Sequence, residues 1–206
     1  LKEVAIDMPA GPSEVEVIAD ESANPAFIAA DFLSQAEHGV DSQAMLVTAS
    51  ESIVKPVMQA IREQLDRLPR KEITEKSLSH SRLIVLKDKQ EVIDFTNLYA
   101  PEHLIIQTTD YADIAGQVEN AGSVFMGSYT PESAGDYASG TNHTLPTNGY
   151  AKAYSGVNLD SFIKKITFQE ITADGIRLLG GTIRTMAANE QLDAHKNAVT
   201  IRLNTL

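Results

Sequence analysis

Apolar positions along the chain fall into short blocks separated by stretches of helical period. Val15, Val17, Ile18 and Ala19 alternate and then run apolar, the pattern of a strand. Asn24-Pro25 supplies an N-cap and a proline at the first helical position, opening a helix expected to end at Gly39. Ala44 to Thr48 is an apolar run of buried-strand length. Val54, Val57, Met58, Ile61, Leu65 and Leu68 share one stripe of a long amphipathic helix that Pro69 stops, and Pro56 is tolerated in its first turn. Leu83 to Leu86 reads as a strand, and Asp88 caps a helix to about Asn97. Leu104 to Ile106 is a further strand, Asp110 caps a helix to about Asn120, and Ser123 to Met126 is strand again.

This alternation predicts an α/β protein: a mostly parallel, Rossmann-like sheet with helices on both faces. From Gly127 to Gly156 the alternation stops and Gly, Ser, Thr, Asn, Tyr and Pro dominate, a composition that in a compact protein is more often functional than idle. Ile166 to Phe168 then reads as a strand, Thr172 caps a helix to about Asn189, and a tail follows from Leu192 to Leu206, a small helical C-terminal extension. A boundary is placed near Tyr150, giving residues 1–150 as the main α/β domain carrying the site and 151–206 as a C-terminal strand, helix and tail that reaches a partner subunit. Ligands in such sheets sit beyond the carboxyl ends of the strands, and the unusual polar residues are expected in those loops.

Composition narrows the function. The 206 residues are 43% hydrophobic and 22% charged, enough for a sizeable core. A formal net charge of −11 argues against nucleic acid, whose phosphates need clustered Lys and Arg. No apolar run is long enough to span a bilayer, and Leu1 is not followed by a basic segment and an apolar core, so no membrane partner is expected and the cytoplasm is the default. The chain opens on Leu1 and is expected to be part of a longer protein. With no cysteine, any metal must be held by His, carboxylate or amide groups.

Gln35 and His38 stand about one turn apart at the end of the first helix, and an amide oxygen and an imidazole so spaced can share one cation. Polar residues at a helix end more commonly face water, so the pair needs company. His103 follows Glu102 in Pro101-Glu102-His103, and either is suited to proton transfer. Extended neighbours point to opposite faces; Pro101 supplies the irregularity that would let both serve one site. Asp136 lies in Gly135-Asp136-Tyr137, seven residues before His143, and His195 follows Glu190 and Asp193. A carboxylate, two imidazoles and an amide make an oxygen/nitrogen zinc set. His80, among serines, reads as solvated. No GxGxxG, no GxxxxGK[ST] and no GxSxG occurs.

At these residues the chain resembles the histidinol dehydrogenase family. The matching runs are Ile6 to Val15, Ser34 to His38, Tyr99 to Leu104, Asn120 to Phe125, Gly135 to Thr147, Phe168 to Thr172 and His195 to Val199. Family enzymes are considerably longer, and the missing part is their N-terminal half. The resemblance implies oxidation of L-histidinol through L-histidinal to L-histidine with two NAD and one zinc, the last steps of histidine biosynthesis. It implies Gln35, His38, Asp136 and His195 as zinc ligands, with His195 arriving from the second subunit of a domain-swapped homodimer. It implies His103 as general base with Glu102 its partner, and Ser13 and Glu190 as substrate contacts beside the ligands. The NAD contacts fall in the missing half, and the truncated chain is expected to be inactive alone. His143 stands in a matching run as a residue supporting the ligands. Two alternatives remain: a non-catalytic metal-binding or dimerisation domain, and a zinc hydrolase, which ranks last.

Overall fold

The computed structural model describes residues 8–206, so Ile6 and Asp7 of the first matching run lie outside the described residues. Five short apolar blocks become strands: β1 (Glu14–Ala19), β2 (Gln43–Thr48), β3 (Arg82–Val85), β4 (His103–Gln107) and β5 (Ser123–Met126). All neighbouring pairs are parallel, and the sheet order is β3-β2-β1-β4-β5. The central strands β1, β2 and β4 are buried along nearly their whole length, as continuous apolar blocks require when both faces are covered.

Between the strands run α1 (Pro25–Ala36), α2 (Val54–Leu65), α3 (Lys71–Leu78), α4 (Lys89–Tyr99) and α5 (Tyr111–Ala115). Val15, Val17, Leu46, Ile105 and Phe125 point to one face, where Ile28, Phe32, Leu33 and Val57 from α1 and α2 cover them. Ile18, Met45, Val47, Leu104 and Ile106 point to the other, under Val92 and Ile93 of α4 and Ile114 of α5. Full burial of such side chains stabilises by roughly 2 kcal/mol each, so both layers are needed to hold the sheet.

The local signals act mostly as expected. Asn24 accepts a hydrogen bond from the Ala26 amide at 2.9 Å, with Pro25 opening α1. Asp88 accepts from the Glu91 amide at 3.0 Å and caps α4. Several expectations need correction. α1 ends at Ala36, and the chain continues to His38 through a tighter bond from its amide to the Gln35 carbonyl. α3 was not separately expected. α5 ends at Ala115, before Gly116 and well short of Asn120, and the Asp110 carboxylate binds Lys89 at 2.8 Å instead of capping it.

After β5, the glycine-rich segment contains α6 (Glu132–Tyr137) and a 3-10 turn, Tyr150–Lys152, and a second 3-10 turn, Leu159–Phe162, follows it. The described chain divides between Ile163 and Lys164, later than the expected boundary near Tyr150. In the second unit the strand expected at Ile166 to Phe168 is absent: those residues are irregular and exposed, with no neighbouring strand to complete a ladder. Thr172 does cap α7 (Ala173–Asn189), accepting from the Gly175 amide. The expected tail is a helix, α8 (Asp193–Asn204), packed against α7 where Gly180 leaves room for Leu203; a Cβ on Gly180 would meet Leu203 Cδ1 at 2.7 Å.

Candidate active site and metal centre

A helix that leaves the carboxyl end of one parallel strand returns to the amino end of the next. The carboxyl end of α1 therefore shares an edge with the first residues of β1 and β4. Gln35, His38, Glu14, Glu102 and His103 meet at this amino edge, so the expectation that the polar residues gather beyond the carboxyl ends is overturned.

The turn into β4 is set by Ala100, which caps α4 in the left-handed region (φ 57°, ψ 65°) and is fully buried. Pro101 follows, and the Pro101 and Glu102 carbonyls accept from the Gly122 and Ser123 amides at 2.9 Å each. The anticipated irregularity brings the two neighbours together: His103 Nδ1 lies 3.5 Å from Glu102 Oε2. The same nitrogen lies 3.0 Å from the Glu14 carbonyl oxygen, an acceptor, so Nδ1 carries the proton. His103 Nε2 is buried and has no partner among the described residues. In the neutral ring its lone pair is the free acceptor of the site. Burial alone would pull this imidazole down, but Glu102 and the Glu132 carboxylate outweigh it and push it up to about 9.

Glu14 ties the edge together. Its amide lies 2.8 Å from Glu102 Oε2 and 3.0 Å from the Gln35 amide oxygen, and its side chain accepts from the Asn148 amide at 3.0 Å. Gln35, fully buried, turns its amide nitrogen to the Glu132 carboxylate, 2.7 Å from Oε2. Glu132 and Asp136 stand one turn apart on α6, which approaches the sheet closely at Gly135: a Cβ there would lie 2.7 Å from the Phe125 ring. Ligand atoms of His38, Glu132 and Asp136 all lie within 4.8 Å of one another. Burial pushes Glu132 up to about 8, with Asp136, Glu102 and Asp31 adding to the effect and His103 opposing it.

The residues fit a divalent cation. One imidazole and two carboxylates converge, and the buried carboxylate that finds its own ionisation unfavourable gains a counter-charge when a cation is bound. Gln35 is beside them: its amide nitrogen faces the Glu132 carboxylate, and its oxygen, which accepts from the Glu14 amide, keeps a second lone pair for a cation. Ser13 immediately precedes β1, its carbonyl accepting from the Gln43 amide at 3.0 Å. His143 and His80 are exposed. Glu190 caps the end of α7 and His195 lies in the first turn of α8, both exposed in the second unit.

Sequence reasoning missed Glu132 and Glu14. Glu132 carries a legible signal: it stands four residues before Asp136 behind a proline, the spacing that puts two carboxylates on one helical face. Glu14 carries none, since three of its four links run through main-chain atoms.

A family model described as Histidinol dehydrogenase matches residues 1–203. Histidinol dehydrogenase of Bacteroides thetaiotaomicron is 69% identical over 206 residues, all of this chain and 48% of that protein. The chloroplastic histidinol dehydrogenase of Arabidopsis thaliana is 58% identical over 204 residues, 98% of this chain and 44% of that protein. The crystal structure of histidinol dehydrogenase from Elizabethkingia anophelis superposes with a TM-score of 0.95 at 58% identity, covering 98% of this chain and 47% of that one. The chain thus spans about half the length of the relatives it matches. By sequence and by fold, it belongs to the histidinol dehydrogenase family.

Proposed function

We propose that this chain carries the metal and substrate site of an enzyme that oxidises L-histidinol through L-histidinal to L-histidine, with two NAD as hydride acceptors. The observation that carries the reading is His103 Nε2, buried, without a partner among the described residues and linked through Glu14 and Gln35 to the His38–Glu132–Asp136 cluster. Gln35, His38 and Asp136 would hold a zinc ion, with the Glu132 carboxylate beside them and His195 the fourth ligand. When bound, the ion supplies Lewis-acid polarisation of the substrate oxygen and fixes its orientation.

In its neutral form, which a cation bound at the neighbouring carboxylates would favour, His103 accepts the alcohol proton at Nε2 as the carbon-bound hydrogen leaves as hydride to the nicotinamide. Nδ1 stays fixed by the Glu14 carbonyl, which sets the ring's plane and tautomer. Glu102 stabilises the imidazolium that results. In the second oxidation the same imidazole, returned to neutral, draws a proton from the water that adds to the aldehyde, and Glu102 supports it again. Ser13 is assigned to substrate contact. His195 and Glu190 are assigned to the site of a second copy, as in a homodimer with exchanged tails. The nucleotide is assigned to the part of the relatives that this chain does not span, in keeping with a sequence that has no dinucleotide fingerprint. The reading carries a cytoplasmic location, with import into an organelle the alternative that the name of the Arabidopsis relative raises.

The test is His103→Gln in the full-length protein. A loss of at least about 100-fold in turnover is expected, and turnover within about threefold of the parent would remove the base assignment. A second reading, a non-catalytic metal-binding or dimerisation domain, is favoured by the half-length match. NADH production by the 206-residue chain given histidinol and NAD would eliminate it; the expected result is no appreciable activity from that chain alone.

A further inference from the structure

At the opposite edge of the sheet from His103, the strand order changes direction between β1 and β4. From β1 the chain builds outward through β2 to β3, then returns to the far side of β1 with β4 and β5. At such a point the loops beyond the two carboxyl ends diverge and leave a crevice, the place where open parallel sheets most often bind ligands. Here the crevice is a cavity of about 220 Å³. Its apolar wall comes from Ile18, Val92 and Ile114, which belong to the core layer of α4 and α5, and from Ala19 at the end of β1.

The polar rim is unbalanced in charge. Asp20, Glu21 and Asp110 bring three carboxylates, and among the described residues that line it Lys89 is the one cation. Lys89 is already engaged: its ammonium is 2.8 Å from Asp110 Oδ2. Asp20 is fixed in place by the Ser22 and Thr109 amides, both at 2.9 Å, and by the Ser22 hydroxyl at 2.5 Å. Those bonds hold its carboxyl below the usual range against the opposing effect of burial. The rim thus presents fixed negative charge over an apolar wall. It repels phosphate and carboxylate, which also accounts for a switch-point crevice without any glycine-rich phosphate loop in the sequence.

We infer that this carboxyl-edge cavity is a second ligand site, which takes a small organic cation: a primary ammonium on an apolar or aromatic body, without a carboxylate or phosphate. The apolar body lies against Ile18, Val92 and Ile114, and the ammonium meets the carboxylates of the rim. The volume is below the ~300–1,000 Å³ of drug-sized sites, which limits the ligand to a single ring or a short chain. The site is independent of the reaction assigned to the amino edge, and its occupancy is read without any turnover.

The probe is 2-phenylethylamine, titrated into protein with 13C-labelled isoleucine and valine methyls. 3-Phenylpropionate has a similar body and the opposite charge, and serves as the comparison. Saturable shifts confined to the methyls of Ile18, Val92 and Ile114 are expected with the amine, at least about tenfold tighter than with the acid, and weaker in high salt. Glu21→Gln, an exposed substitution that leaves the wall intact, is expected to weaken the amine about threefold, and Asp110→Asn to act in the same direction. Absence of saturable shifts at these methyls overturns the inference. So does equal binding of amine and acid, or an affinity that Glu21→Gln leaves unchanged, since either would reduce the cavity to an apolar gap.

Discussion

The two nitrogens of His103 face different surroundings, one held by a carbonyl and one free, and the residues around it divide the work of keeping it so. Glu102 is the nearest carboxylate and the first of the groups that raise this imidazole, so Glu102→Gln is expected to bring the His103 titration down from about 9 toward its ordinary value near 6.5, followed by the Hε1 proton resonance of metal-free protein. The sign matters for stability. The His103 contribution is fully present below its unfolded value near 6.5 and is lost as pH rises through about 9. Glu132 has the opposite consequence for metal. A carboxyl raised to about 8 must release its proton to bind a cation, so zinc affinity at the proposed cluster is expected to fall by up to about tenfold per unit as pH drops below 8, measured by competition with a chromogenic chelator. Glu132→Gln should flatten that dependence. Glu16 sits in the middle of β1, fully buried, with one carboxyl oxygen bonded to the Thr96 hydroxyl and the other without a partner among the described residues. Burial raises it to about 8. The unfolded chain gives up this proton near pH 4.5 and the folded chain holds it, so the group costs stability increasingly between those values. Glu16→Gln is therefore expected to raise stability by on the order of 2–3 kcal/mol at pH 8 and by little at pH 5, measured by urea denaturation.

At the scale of elements, the site depends on where helices end and strands begin. α1 delivers Gln35 and His38 from its last turn, α6 presents Glu132 and Asp136 on one face, and the left-handed Ala100 aims Glu102 and His103 into the same edge. The alternation of elements was legible because each apolar block is as long as a buried strand, and Asn24 and Asp88 mark the starts of α1 and α4 as caps. The edge was equally legible and was misread. Glu102 and His103 stand before a strand, and Gln35 and His38 stand at the end of a helix; in a parallel α/β chain both positions lie at the amino edge. The general preference of ligands for carboxyl ends outweighed that local information. α8 escaped notice because its apolar residues, Ala194, Ala198, Val199, Ile201 and Leu203, make only a thin stripe among polar ones. Gly122 offers a test at this scale. A Cβ there would lie 2.5 Å from the Glu102 carbonyl oxygen and 3.1 Å from Leu145 Cβ, a main-chain clash that side-chain motion cannot relieve. Gly122→Ala is expected to cost about 1–3 kcal/mol in stability and to lower turnover of the full-length protein by moving Glu102, read from melting and from steady-state rates.

Across the whole molecule, the described chain divides into an α/β unit and a pair of helices. The first contains both core layers and the residues that meet at the amino edge, Glu14, Gln35, His38, Glu102, His103, Glu132 and Asp136. A chain ending at Ile163 is expected to keep the far-ultraviolet signature of the sheet and a cooperative melt, and loss of that transition would show the division to be wrong. The helical pair is different. Leu178 is 83% exposed, Met186 60% and Ile201 56%, more large apolar surface than so small a unit leaves in water without a partner. Self-association in sedimentation is expected, with Leu178→Glu shifting it toward the monomer.

One feature of the amino edge bears on how the protein can be probed. The acceptor that orients the His103 ring is the peptide oxygen of residue 14, which every amino acid possesses. An alanine scan replaces the Glu14 side chain and leaves this anchor intact, so it would rank position 14 by its grip on Asn148 alone. Only chemistry that edits the polypeptide itself, such as an ester in place of the amide between residues 14 and 15, weakens that oxygen as an acceptor and exposes what it contributes to the tautomer on which the free nitrogen depends.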